Sequence, residues 1–70
     1  MENITYEQAL AELQQIIEAL ESGAIGIDEL AEQTERGEAL IQFCQEKLRQ
    51  TEQRVQGLRD FLNAQQQRTS

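Results

Sequence analysis

The chain has 70 residues, one cysteine, no histidine and no proline, and a formal net charge of −7. So short a chain makes one small domain whose single core is marginal, and it can form neither an intrachain disulfide nor a Cys/His zinc clip. No apolar run approaches the ~18–20 residues of a membrane span, and no basic, apolar secretory signal opens the chain, so the expectation is a soluble cytoplasmic protein with no membrane partner.

Leu, Glu, Gln and Ala dominate while β-branched and aromatic residues are scarce, which favours helix over strand. Met1 to Ile4 is expected to fray. Thr5 then opens the first helix, because Thr5 and Gln8 stand at the spacing of a capping box, in which each side chain serves the other's amide. Glu7 in the first turn also favours the positive end of the helix dipole. The apolar positions Tyr6, Ala9, Leu10, Leu13, Ile16, Ile17 and Leu20 fall on one stripe of a helix over about 6–22. Ser22-Gly23 ends it, since glycine accepts the left-handed conformation of a C-terminal cap.

The turn 23–26 is short. Gly26 suits the next N-cap, with Glu29 at the third helical position and Ile25 placed to pack on Leu30. Helix two is predicted over about 27–64, with a frayed tail at 65–70. Its organising feature is a 3–4 alternation through Ile27, Leu30, Thr34, Gly37, Ile41, Cys44, Leu48, Thr51, Val55, Leu58 and Leu62, a seam meant for other helices. A short loop between two amphipathic helices folds them back on each other. The fold class is therefore all-α: an antiparallel two-helix hairpin with coiled-coil packing. Its expected core is Tyr6, Leu10, Leu13, Ile17, Leu20, Ile27, Leu30, Gly37, Ile41 and Cys44.

The two helices differ in length, about 25 Å against about 57 Å at the usual rise per residue. Helix one can cover helix two only to about Phe43 or Cys44. Leu48, Val55, Leu58, Phe61 and Leu62 are left with nothing in the chain to cover them, an interaction surface flanked by Lys47, Arg54 and Arg59. Burying five such side chains is worth on the order of 10 kcal/mol gross. The charges do not choose between a second copy and another protein. In a parallel homodimer Lys47 would meet Glu52, which is favourable, and Arg54 would meet Arg59, which is not.

Residues 1–40 carry ten acidic side chains and one basic one, Arg36, for a net of −9, whereas residues 41–70 carry a net of +2. An acidic chain is repelled by a phosphate backbone, and the second half lacks aromatics interleaved with its cations, so direct nucleic-acid binding by this chain alone is not expected. Cys44 lies on the seam with no histidine to activate it and reads as a packing residue. The glutamates lack the Asp/Asn/Gly loop of a cation site, and the glycines lack the P-loop lysine and hydroxyl. No catalytic, cofactor or metal residue is expected. Gly37 in mid-helix costs about 1 kcal/mol relative to alanine, which points to a close neighbour there, expected near Tyr6 to Leu10.

Thr5-Tyr6-Glu7-Gln8-Ala9-Leu10, Glu12-Leu13, Ile16-Ile17 and Leu20-Glu21-Ser22-Gly23 closely resemble the opening of the small subunit family of bacterial exodeoxyribonuclease VII. Gly37 with Ala39-Leu40, Cys44-Gln45-Glu46-Lys47-Leu48 and Glu52-Gln53-Arg54-Val55 with Leu58 resemble its remainder. The chain departs from the family pattern at Thr34, where an aromatic is usual, and near Gly26, where serine or proline is usual. The resemblance implies a non-catalytic hairpin that binds a large catalytic subunit, several copies at a time. The holoenzyme so formed would hydrolyse single-stranded DNA from both ends to short oligonucleotides, with the nuclease site and the DNA-binding domain on the large chain. From the residues alone, a free-standing helical oligomerisation or adaptor module is the alternative.

Overall fold

The computed structural model describes residues 3–69, and the side-chain surroundings of residues 3–67. Among them are two α-helices and no strand: α1 (Tyr6–Ser22) and α2 (Ile27–Thr69). The expected ends at Met1, Glu2 and Ser70 lie outside the described residues.

Local chemistry sets both ends of α1. The Gln8 amide donates to Thr5 Oγ1 at 3.1 Å and the Thr5 amide donates to Gln8 Oε1 at 2.9 Å, closing the capping box. At the other end Gly23 takes φ 67°, and its amide donates to the Leu20 carbonyl at 3.3 Å. A side chain would be strained in that conformation, so glycine belongs there. The Leu30 amide donates to the Gly26 carbonyl at 2.9 Å, which starts α2 beyond a short connection. Asp28 and Glu29 sit in its first turn, at the positive end of the helix dipole.

α2 has 43 residues and continues past Ala64, where the helix was expected to end, to Thr69. No glycine or proline follows Gly57, and the Gln-rich end is made of fair helix formers, so nothing local stops it. Ile4 differs from expectation too: it is half-buried against the core instead of frayed.

The helices pack antiparallel, and the core between them is small. Ala9 and Ile16 of α1 meet Leu40 and Cys44 of α2, with Ile4, Tyr6, Leu13, Leu20 and Phe43 partly buried around them. Leu40 is the large side chain that is fully enclosed. Gly37 is buried in the same face, opposite Leu13 and Ile16 and not at the expected level of Tyr6 to Leu10. A Cβ there would lie 3.7 Å from Leu13 Cδ1 and 3.8 Å from Ile16 Cγ2, ordinary contact distances. The glycine is accommodated by the packing without being demanded by it.

Arg36, the one cation in the first forty residues, bridges the two helices. Its Nε donates to Glu12 Oε2 at 2.6 Å and its NH2 group to Glu12 Oε1 at 2.9 Å. A forked pair of this kind fixes rotation and register as well as supplying attraction. The Arg36 guanidinium hydrogen-bonded to Glu12 holds that carboxyl below its ordinary value of 4.5.

Candidate functional site

The core stops where α1 starts. Tyr6 faces a shallow surface shared with Lys47, Leu48 and Thr51, and every residue over 45–67 is exposed. The molecule is accordingly a rod of 65 × 20 × 15 Å with a packed end and a bare end.

Residues seven apart fall on nearly one line along a helix, and α2 carries three such lines side by side. Gln33, Leu40, Lys47, Arg54 and Phe61 form the first. Gly37, Cys44, Thr51 and Leu58 form the second, and Thr34, Ile41, Leu48, Val55 and Leu62 the third. α1 covers the first two in the hairpin, where Leu40, Gly37 and Cys44 are buried and Gln33 is half-buried. Past Cys44 the same two lines are open. The third line is open along its whole length, Thr34 and Ile41 included.

This arrangement redistributes the residues expected from the sequence. Gly37 and Cys44 are buried, and Tyr6, Leu13 and Leu20 are half-buried. Leu10, Ile17, Ile27, Leu30 and Ile41 are instead exposed, Ile27 at 76%. The hairpin therefore packs one line over from the seam, on Leu40, with Ala9 and Ile16 as its partners. The spacing alone could not separate the two choices, since Gln33-Gly37-Leu40-Cys44 also steps by four and three. On α1, Tyr6-Ala9-Leu13-Ile16-Leu20 keeps an unbroken 3–4 alternation, and that was the available signal. Leu48, Val55, Leu58, Phe61 and Leu62 are all exposed large apolar side chains.

The apolar surface is thus longer than the bare end. A cleft between the helices, lined by Leu13, Ile17, Leu20, Thr34, Gly37 and Ile41 among others, runs beside the third line. Leu10, Ile17, Leu30 and Ile41 extend that apolar surface over the hairpin. Contiguous exposed carbon of this extent is characteristic of an interaction surface. On the polar side of α2, Arg49 pairs with Glu46 within the helix and lowers its carboxyl from the ordinary value, while Gln56 donates to Asp60 at 3.0 Å.

Cys44 is buried in the core with Ala9, Ile16 and Leu40. No group of three or more His, Cys, Asp or Glu side chains converges among the described residues. No described helix is long and apolar enough to cross a membrane.

A family model described as exonuclease VII small subunit matches residues 6–57. The chain is 41% identical over 51 residues to an exodeoxyribonuclease 7 small subunit of Listeria innocua, covering 73% of this chain and 68% of that one. It is 48% identical over 52 residues to that of Escherichia coli, covering 74% of this chain and 65% of the relative. A third relative with the same description, from Sinorhizobium medicae, is 41% identical over 56 residues, covering 80% and 68%. No solved structure matches. The matched region takes in α1, the turn and α2 as far as Gly57.

Proposed function

The chain belongs to the exonuclease VII small subunit family, a component of a hydrolase whose other component is the large subunit, and from that membership we propose that it is a non-catalytic, helical docking subunit. Its contribution is a surface: Leu48, Val55, Leu58, Phe61 and Leu62 engage the large subunit and sibling copies, and Lys47, Arg54 and Arg59 set their orientation. Residues 1–70 act as one hairpin domain whose core is shared by the two helices. Nuclease chemistry on single-stranded DNA, from both ends to short oligonucleotides, and contact with the DNA itself belong to the large subunit in a cytoplasmic holoenzyme. The observation that carries this reading is the apolar face of α2 that runs on uncovered past the level of Tyr6, where α1 starts.

The mechanism is one of mutual completion. Apolar surface left in water on both partners is removed on association at roughly 25 cal/mol per Å², which offsets the loss of translational freedom and the ordering of α2's bare end. Cations beside the stripe favour orientations that meet acidic groups and disfavour others. Leu58→Asp is the direct test, because it places a charge in the middle of the stripe without touching the hairpin core. The expected result is loss of co-purification with the large subunit and of nuclease activity, with helicity largely retained. Retained co-purification would remove the stripe from the mechanism.

A further inference from the structure

We infer that the bare half of α2 is covered by the hairpin of a second copy lying antiparallel and fully overlapped, so that each copy's distal helix becomes the third helix of the other's hairpin. This rests on the reading of the stripe as an interface and specifies its occupant among sibling copies. Three observations carry it.

The first is the third line of α2, Thr34, Ile41, Leu48, Val55 and Leu62, which is exposed from one end to the other. A surface that α1 leaves open over the hairpin as well as beyond it fits a partner helix running the full length. An antiparallel two-fold through Leu48 sets Ile41 of one copy against Val55 of the other, and Thr34 against Leu62. A two-fold contact of this kind is self-complementary and closed.

The second is the pair of lines that α1 covers only halfway. Leu40, Gly37 and Cys44 are buried beneath α1, while Lys47, Thr51, Arg54, Leu58 and Phe61, on the same lines, are exposed. In the overlapped dimer Leu58 and Phe61 face the other copy's α1, whose Leu10 and Ile17 are exposed and whose Leu13, Ile17 and Leu20 line the open cleft. Each cleft receives a helix, and each bare stripe receives a cleft.

The third is charge. The hairpin end is net −9 over residues 1–40 and the other end net +2 over residues 41–70. Full antiparallel overlap lays the basic end of one copy beside the acidic end of the other, bringing Arg59 of one to the level of Glu38 of the other. Parallel pairing superposes the two acidic ends and is opposed by their repulsion. Pairing through the distal halves alone leaves both clefts empty.

Disulfide trapping separates these arrangements, because a bridge forms only where Cα atoms come within about 4.4–6.8 Å. In a Cys44→Ser background, Thr34→Cys and Leu62→Cys are purified separately and oxidised mildly, alone and mixed. The expected result is a cross-linked heterodimer in the mixture and none from either variant alone, with Leu48→Cys cross-linking to itself. Self-cross-linking of Leu62→Cys, or no mixed product, overturns the arrangement. Small-angle scattering of the unmodified chain gives an independent reading free of cysteine chemistry. The overlapped dimer keeps the 65 Å length of one copy, whereas a distal-only dimer extends to about 95 Å. A monomer at all concentrations, or the longer particle, also overturns it. Co-purification of the unmodified chain with the large subunit tells the two failures apart: if it occurs while the cross-link pattern fails, only the arrangement of copies falls.

Discussion

Single residues decide the register of this hairpin, and two of them do so in ways that can be measured. Glu12 and Arg36 join α1 to α2 through a forked ion pair. Because the carboxyl is held below its ordinary value of 4.5 in the folded chain, its stabilising effect is complete above that value. It is lost as pH falls through the lower folded value. Glu12→Gln should therefore melt below the parent at pH 7, and the gap should close as the melts are repeated toward strongly acid pH. A gap that widened in acid would contradict the assignment. Gly37 gives the opposite kind of prediction. A methyl group fits at 3.7–3.8 Å from Leu13 and Ile16, so Gly37→Ala should raise stability by about 0.5–1 kcal/mol through helix propensity, read as a higher melting midpoint. Gly23→Ala should lower it, because φ is 67° there and a side chain is strained in that conformation. Residue identities told us about the caps directly: Thr5, Gln8 and Gly23 act through neighbours three residues away, so sequence spacing is sufficient. The Glu12–Arg36 bridge was not legible, since it joins residues 24 apart in the chain.

At the scale of elements, length was the informative quantity. Seventeen residues cannot cover forty-three, and the end of burial near Cys44 follows from that mismatch at a fixed rise per residue. Which side of α2 receives α1 was harder to read. Two neighbouring sets of positions on α2 both step by three and four, and the set with more leucine and isoleucine was the wrong choice for the hairpin. The packing goes through Leu40, which Ala9, Ile16 and Cys44 enclose, and leaves the richer line outside. Leu40→Ala should accordingly cost about 2–5 kcal/mol, enough to unfold so small a core, whereas Ile41→Ala in the isolated chain should cost little. Equal losses in thermal melts of the two variants under dilute conditions would mean the lines had been misassigned.

For the whole molecule, stability and association are one equilibrium. Among the described residues the enclosed apolar side chains are those of Ala9, Ile16, Leu40 and Cys44, and domains this small commonly depend on a partner or a staple. Helicity of the purified chain should therefore rise with its concentration, and the melting midpoint with it, as expected when binding stabilises only the folded form. A midpoint independent of concentration over two decades would show that the hairpin stands alone. The large subunit should raise the midpoint further, and Leu58→Asp should abolish that increase while leaving the dilute-solution value near the parent's.

The bare end of α2 also bears on how much of this protein a cell can hold. An unaccompanied copy exposes a long helical segment beyond the hairpin core, which opens locally at little cost and is readily cut. Copies made in excess would be cleared by proteolysis while assembled ones persist, so the supply of binding sites, rather than the rate of synthesis, would set the steady amount.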